Sequence, residues 1–308
     1  MFTGCGTALV TPFRSDLSLD EAGLRKLVER QIGAGIDFLV PCGTTGESPT
    51  LSGEEHLRVV EITVETAKAG GRKVPVLAGA GGYNTRDVIE LAREVEARGA
   101  DGILSVTPYY NKPTQEGLYQ HYKALAAATR LPVVIYSVQG RTGVNVEVAT
   151  LERLSALPNI AGVKEASGSV TQIGRVIRQL PESFLVLSGD DSITLPVMAL
   201  GGHGIISVVS NEAPAMMTNL ARLCAAGRFA EARTLHERHL DLMDVNFVES
   251  NPGPVKAAMA LMGLLELHYR LPMVAPKPEN LAKIETVLRN LNMIPAVAVA
   301  WTKHAKRD

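Results

Sequence analysis

The strongest candidate for covalent chemistry is a lysine at the end of a short apolar run. Ile160-Ala161-Gly162-Val163 precedes Lys164, and small polar residues follow. Such a run is typical of a buried parallel strand, whose last residue emerges at the pocket formed by the carboxyl ends of the strands. Burial disfavours the ammonium form, so Lys164 could attack a ketone as a neutral amine and form a Schiff base. The alternative is a solvated lysine paired with Glu165.

Three loops that follow other predicted strands carry groups suited to assist that chemistry. Gly43-Thr44-Thr45-Gly46-Glu47-Ser48 offers tight turns, backbone N–H groups and two hydroxyls, which predict a cradle for a carboxylate. Tyr109 and Tyr110 lie between prolines and can relay protons. Tyr136 ends a further apolar run, and the guanidinium of Arg141 suits a carboxylate. The alternatives are a polar turn for the first loop, aromatic packing at a subunit contact for the two tyrosines, and a surface ion pair for Arg141.

Other polar residues argue against phosphate and metal chemistry. Asp190 and Asp191 would repel a phosphate, and we expect Asp191 to cap a helix and Gly189 to allow a close backbone approach. His236 and His239 have a spacing compatible with a metal site, but the flanking arginines favour a solvated helix face. Because the sequence places no cluster of histidines and carboxylates at strand ends, we predict no metal.

The elements that must position these residues alternate along the chain. Short β-type runs and amphipathic helical stretches follow each other through residues 1–226, which is typical of parallel βα units and matches the size of a (β/α)₈ barrel. An open doubly wound sheet would more usually have fewer strands and a Gly-rich dinucleotide turn. The strands are predicted near Gly6–Val10, Phe38–Pro41, Val74–Ala78, Gly102–Val106, Val133–Tyr136, Ile160–Lys164, Phe184–Ser188 and Gly204–Val208.

Capping residues indicate where helices begin. Ser18 with Glu21, and Ser52 with Glu55, predict capping boxes, in which side chains satisfy the first unpaired N–H groups of a helix. Further N-caps are predicted at Thr85, Thr114 and Asn145.

Strand signals stop after residue 226, and a helical region follows. A proline-rich segment separates its last two helices, since proline bars helix continuation. We therefore predict a barrel over residues 1–226 that contains the active site and a C-terminal helical region over residues 227–308. The helices of that region are predicted at Phe229–Phe247, Pro254–Leu264 and Glu279–Leu291.

The composition favours small-molecule ligands. Lys and Arg total 31 against 32 Asp and Glu, for a net charge of −1, so no electrostatic feature indicates nucleic acid or an anionic membrane as a partner. The 3 cysteines are widely separated, which suits a reducing compartment. The N-terminus has no secretory pattern, and no uncharged apolar run is long enough to span a bilayer. We predict a cytoplasmic protein.

With these loops in order along nearly the whole chain, the sequence resembles the dihydrodipicolinate synthase/N-acetylneuraminate lyase family of pyruvate-dependent Schiff-base aldolases. The resemblance implies a barrel with C-terminal helices, commonly a homotetramer, and a reaction that needs no metal or other cofactor. The motifs that carry it are Gly43-Thr44-Thr45-Gly46-Glu47-Ser48, Val106-Thr107-Pro108-Tyr109-Tyr110-Asn111, Tyr136 with Arg141-Thr142-Gly143, Gly162-Val163-Lys164-Glu165-Ala166-Ser167, Leu187-Ser188-Gly189-Asp190-Asp191 and Gly201-Gly202-His203-Gly204-Ile205-Ile206-Ser207-Val208.

The resemblance also implies roles for individual residues. Lys164 would form the imine with pyruvate, and Tyr136 would act as general acid and base beside it. Thr44 and Thr45 would bind the pyruvate carboxylate, and Thr45 would join a proton relay with Tyr136 and with Tyr110 of a neighbouring subunit. The backbone positions near the bound keto acid would be Gly189 and Ile206.

Arg141 bears on the second substrate. It matches the arginine with which some family members bind the carboxylate of L-aspartate 4-semialdehyde, which implies condensation with pyruvate to 4-hydroxy-tetrahydrodipicolinate in lysine and diaminopimelate biosynthesis. Ser137-Val138-Gln139-Gly140 replaces the usual Asn-Val-Pro of that loop and leaves the aldehyde open. The alternatives are an aldolase acting on 4-hydroxy-2-oxoglutarate or a 2-keto-3-deoxy sugar acid, and a barrel that only binds keto acids.

Some family members are inhibited by lysine, which binds at a separate site. Residues that keep the types found at that site are Ser48, His56 and Tyr109, and Asp87 supplies an acid. Residues that replace types used to bind lysine are Pro49, Gly53 and Tyr83. We therefore expect weak or absent inhibition by lysine.

Overall fold

The computed structural model describes residues 1–295, in which parallel strands and helices alternate. The strands are β1 Gly4–Ala8, β2 Phe38–Val40, β3 Leu77–Gly79, β4 Gly102–Val106, β5 Val133–Ser137, β6 Ile160–Glu165, β7 Leu185–Ser188 and β8 Gly204–Ser207. The helices are α1 Glu21–Gly33, α2 Gly53–Ala69, α3 Thr85–Ala97, α4 Gln115–Ala128, α5 Gln139–Thr142, α6 Val148–Ser155, α7 Val170–Gln179, α8 Thr194–Ala199, α9 Pro214–Ala225, α10 Phe229–Val245, α11 Gly253–Leu261 and α12 Pro278–Asn290.

The strands follow one another around a ring in chain order. β1 pairs with β2 on one side and with β8 on the other, and neighbours pair in sequence from β3 to β8. Between β2 and β3 the ring closes through a parallel bridge from Leu39 to Val76 and a hydrogen bond from the N–H of Gly79 to the carbonyl of Pro41. The predicted (β/α)₈ barrel with C-terminal helices is confirmed.

Alternation along the strands decides which side chains enter the barrel. Val163 packs in the outer core between strands and helices, whereas Tyr136, Leu187 and Ile206 pack together in the interior. Successive side chains of a strand point to opposite faces, so Lys164, which follows Val163 and is the register partner of Tyr136, enters the interior. A shift of one residue would turn it toward the helices.

Two kinds of boundary differ from the predictions. β3 begins later than predicted because Pro75, which lacks an N–H, and the single bridge at Val76 precede its regular pairing.

N-caps are confirmed at Ser52 and Thr114. The predicted caps that are wrong are Ser18, Thr85 and Asn145. Asp20 caps α1 and Asn84 caps α3, since neighbouring residues of similar capping preference take the position.

The C-terminal helices α10, α11 and α12 lie within a few residues of their predicted ranges. α12 packs against both α10 and α11, and α10 packs against α8 and α9 of the barrel. Residues 296–308 of the predicted helical region lie outside the described part of the chain.

A buried ion pair joins this region to the loop after β2. Nζ of Lys256, on α11, donates to Oε1 of Glu47 at 2.6 Å and to the carbonyl of His268 at 2.7 Å, and the Lys256 and Glu47 side chains are both 0% exposed. Burial lowers the pKa of Lys256, and the carboxylate of Glu47 opposes that shift. The rings of Phe13 and Tyr269 cover the ammonium group. The C-terminal region therefore holds one loop at the mouth of the barrel.

Removing one partner should be costly because the other charge would stay buried. We expect Lys256→Met to lower the free energy of unfolding by about 3–5 kcal/mol, measured by urea denaturation. The double variant Glu47→Leu/Lys256→Met should recover most of that loss. As a control, Arg228→Met, which removes an exposed ion pair with Glu231, should cost less than about 1 kcal/mol. If Lys256→Met and Arg228→Met lowered the free energy of unfolding by similar amounts, this interpretation would be wrong.

Candidate active site

Lys164 lies near the carboxyl end of β6 and is 6% exposed. Its Nζ is 4.1 Å from the ring centroid of Tyr136, which β5 places in register beside it. The alternative pairing with Glu165 is not observed, because Glu165 points out of the barrel interior and accepts hydrogen bonds from Ser167 and Gln172. Burial raises the pKa of Glu165. The amine therefore has an aromatic neighbour instead of a carboxylate.

A cavity at the mouth of the barrel collects residues from several loops. Most of the predicted site residues line it together with Asn251 and Phe247, and a second cavity beside it shares Thr44, Tyr136 and Arg141. The first cavity is lined by Ala8, Val40, Gly43, Thr44, Thr45, Leu104, Tyr136, Arg141, Lys164, Gly189, Val208, Phe247 and Asn251. Ile206 is a predicted site residue that does not line this cavity, but it packs in the same interior cluster as Tyr136.

The loop after β2 is folded tightly enough to present its backbone. The N–H groups of Gly46 and Glu47 donate to carbonyls within the loop, and Glu47 has a left-handed backbone with φ of 51°. The hydroxyl of Thr11 donates to the carbonyl of Gly46 at 2.7 Å. Among the described residues, the N–H groups of Thr44 and Thr45 have no hydrogen-bond acceptor. These two N–H groups are available to bind an anion such as a carboxylate.

The C-terminal region supplies a residue that the sequence did not suggest. Nδ2 of Asn251, which lies between α10 and α11, donates to Oγ1 of the buried Thr45 at 3.0 Å. Nη2 of Arg141 is 3.5 Å from the carbonyl oxygen of the same asparagine. Asn251 is 206 positions from Thr45, and it lies in the region that the sequence predicts only as helical. Its one local signal is that it precedes a proline between two helices.

Tyr110 does not reach the cavity of its own chain. It lies on the loop after β4 with φ of 65° and is 90% exposed, whereas the adjacent Tyr109 packs edge to face against Tyr83 at 5.3 Å. The loop therefore directs one phenol into its own chain and the other outward. A role for Tyr110 requires a second copy of the chain.

The loop after β7 differs in part from its prediction. The close approach expected at Gly189 is observed, because a Cβ there would lie 2.6 Å from the Cβ of Ala166. The prediction that Asp191 caps a helix is wrong. Its carboxylate accepts hydrogen bonds from the Ser207 hydroxyl and from the N–H groups of Val208 and Val209, and burial raises its pKa to about 6. Asp191 thus fixes the loop after β8.

The site combines an amine, a phenol, a hydroxyl, two unpaired N–H groups and a guanidinium. An amine beside a proton donor can condense with a keto acid whose carboxylate binds the N–H groups. Within residues 1–295, no group of three or more His, Cys, Asp and Glu side chains is placed to hold a metal ion. In the same residues, no helix combines the length and hydropathy needed to cross a membrane.

Comparisons with known proteins show the family of the chain. The model of the dihydrodipicolinate synthetase family matches residues 1–291. A 4-hydroxy-tetrahydrodipicolinate synthase from Koribacter versatilis is 54% identical over 298 residues, covering 96% of this chain and 98% of the relative. One from Chloroherpeton thalassium is 49% identical, covering 97% and 98%. The crystal structure of dihydrodipicolinate synthase from Aquifex aeolicus has a TM-score of 0.93 and 43% identity, covering 96% and 100%. The chain therefore belongs to the dihydrodipicolinate synthetase family.

Proposed function

We propose that this protein is a lyase that condenses pyruvate with L-aspartate 4-semialdehyde to give 4-hydroxy-tetrahydrodipicolinate, a step of lysine and diaminopimelate biosynthesis. The observation that carries the proposal is the buried amine of Lys164, 4.1 Å from the ring of Tyr136 in a cavity that also contains Thr45 and Arg141. Relatives of nearly equal length are 4-hydroxy-tetrahydrodipicolinate synthases. We further propose that it acts in the cytoplasm.

Pyruvate would bind first and react with the amine. Its carboxylate would accept hydrogen bonds from the N–H groups of Thr44 and Thr45, in the cavity that Gly189 also lines. Nζ of Lys164 would attack that carbon, and loss of water would give a protonated imine. The imine withdraws electrons, so the methyl group can lose a proton and become an enamine. All the reactive carbon chemistry is then carried by the substrate, and no cofactor is needed.

The enamine would add to the aldehyde carbon of the second substrate. A new carbon–carbon bond forms, and Tyr136 would protonate the aldehyde oxygen to a hydroxyl. The amino group of the second substrate then attacks the imine carbon, which closes the ring and releases Lys164. We propose that Thr45, Tyr136 and Tyr110 of a neighbouring copy relay the protons in a homotetramer or at least a homodimer. The 90% exposure of Tyr110 leaves it free to enter another chain.

Arg141 supports a second substrate that carries its own carboxylate. The side chain is exposed at the mouth of the barrel and lines both cavities. The carboxylate of L-aspartate 4-semialdehyde, at the opposite end from the aldehyde, would accept hydrogen bonds from two N–H groups of Arg141. An aldolase for 4-hydroxy-2-oxoglutarate or a 2-keto-3-deoxy sugar acid is the alternative, and a barrel that only binds keto acids would have no use for Lys164 beside Tyr136.

Turnover should depend on the amine and on the phenol in different ways. We expect Lys164→Ala to abolish turnover, and Tyr136→Phe to lower kcat by about 10²–10⁴-fold because general acid–base catalysis is lost. Activity would be followed by coupling the product to an NADPH-dependent reductase. The exposed Lys123→Ala is the control and should leave kcat unchanged.

The same preparation should distinguish the substrates. Wild-type protein should turn over L-aspartate 4-semialdehyde with pyruvate far faster than it cleaves 4-hydroxy-2-oxoglutarate or a 2-keto-3-deoxy sugar acid. Faster cleavage of either acid would show that this acid, and not L-aspartate 4-semialdehyde, is the substrate. Full activity of Lys164→Ala would exclude the imine mechanism.

Lysine should be a poor inhibitor of this enzyme. Pro49, Gly53 and Tyr83 stand where lysine-sensitive relatives have other types, and the exposed ring of Tyr83 already packs against Tyr109. In the coupled assay, we expect millimolar lysine to leave most of the activity intact at saturating pyruvate. Strong inhibition under those conditions would show that these replacements do not weaken the site.

A further inference from the structure

The side chain of Asn251 has one satisfied end and one unsatisfied end. Nδ2 donates to Oγ1 of Thr45 at 3.0 Å, whereas Oδ1 is buried and has no hydrogen-bond partner among the described residues. Asn251 is 5% exposed and lines the cavity that contains Lys164 and Tyr136. Buried polar atoms are nearly always paired in folded proteins. An unpaired acceptor at the wall of a binding cavity therefore indicates a place for a donor from a ligand.

The satisfied end has a consequence for Thr45. Because the Asn251 amide donates to Oγ1, the proton of the Thr45 hydroxyl must be donated to some other group. The asparagine thus directs that hydroxyl away from itself and toward the cavity. This is a positioning effect, and it acts equally on every second substrate.

The backbone of Asn251 has a different neighbour from its side chain. The guanidinium of Arg141 lies 3.5 Å from the backbone carbonyl of Asn251. A carboxylate bound by Arg141 would therefore lie beside the residue that carries the free Oδ1. A ligand that satisfies both groups needs a carboxylate and an N–H donor close together. An α-amino acid has this arrangement, with a single carbon between the two groups.

We propose that Asn251 is a specificity-determining residue, whose Oδ1 accepts a hydrogen bond from the α-amino group of the aldehyde substrate while Arg141 binds the α-carboxylate. This inference rests on the proposed function. The asparagine then selects an amino-acid aldehyde over an aldehyde that has only the carboxylate. An aldehyde that has no donor at that position leaves a buried acceptor unpaired and is disfavoured for the same reason.

The test compares two aldehydes that differ in the amino group, L-aspartate 4-semialdehyde and succinic semialdehyde. Consumption of pyruvate is measured with each, because it does not depend on the later fate of the product. We expect wild-type protein to favour the amino aldehyde in kcat/KM. Asn251→Ala should reduce that preference by about 10–100-fold, the factor that corresponds to loss of one hydrogen bond to a charged group.

Two further variants separate selection from positioning. Asn251→Asp keeps an acceptor for the amino group but loses the amide donor to Thr45, so the preference should remain while kcat falls with both aldehydes. Phe247→Ala removes an apolar side chain from the same cavity and should change kcat/KM by a similar factor with both aldehydes. Thermal unfolding of each variant checks that the fold is retained.

The outcomes are distinguishable. If Asn251→Ala lowered kcat/KM equally with both aldehydes, the residue would have only a positioning role. That result would overturn this inference and leave the proposed function intact. Wild-type protein that consumes pyruvate with neither aldehyde would overturn both. A preference that falls in Asn251→Ala, persists in Asn251→Asp and is unchanged in Phe247→Ala supports the inference.

Discussion

The pairing of β5 with β6 is the constraint on which the site depends. It sets Tyr136 beside Lys164 in register, and the alternation of side chains sends both into the barrel. The outer face of the same strands packs against helices through Val163 and its neighbours. Because a slip of one residue would exchange the two faces, the energy of the whole outer core holds the amine beside the phenol. A strongly specified register thus becomes a fixed distance between two reactive groups.

The loop proposed to bind the pyruvate carboxylate depends on a second set of contacts. The loop after β2 is held by Lys256 through Glu47 and by Asn251 through Thr45, and both contacts come from beyond the barrel. The first contact is a buried ion pair, and the second is a hydrogen bond to a predicted relay residue. The C-terminal region is therefore part of the site's architecture, although its helices add no strand to the sheet.

The sequence predicted the parts that repeat a local pattern. Short apolar runs and helical stretches indicated the barrel, and residues just past strand ends indicated Lys164, Tyr136 and the cradle loop. It did not predict Asn251 or the partner of Glu47, because these contacts join positions 206 and 209 residues apart and leave no local pattern. Caps were misplaced where two suitable residues lie together, as with Thr85 and Asn84. Asp191 was misread because its carboxylate binds a loop on the next strand.

The most direct test of the account is to trap the imine. The protein would be treated with sodium borohydride in the presence of pyruvate, digested and mapped by peptide mass spectrometry, with a sample lacking pyruvate as the reference. The account predicts a stable reduced adduct on the peptide that contains Lys164, formed only when pyruvate is present. An unmodified Lys164 peptide, or an adduct confined to other lysines, would contradict it.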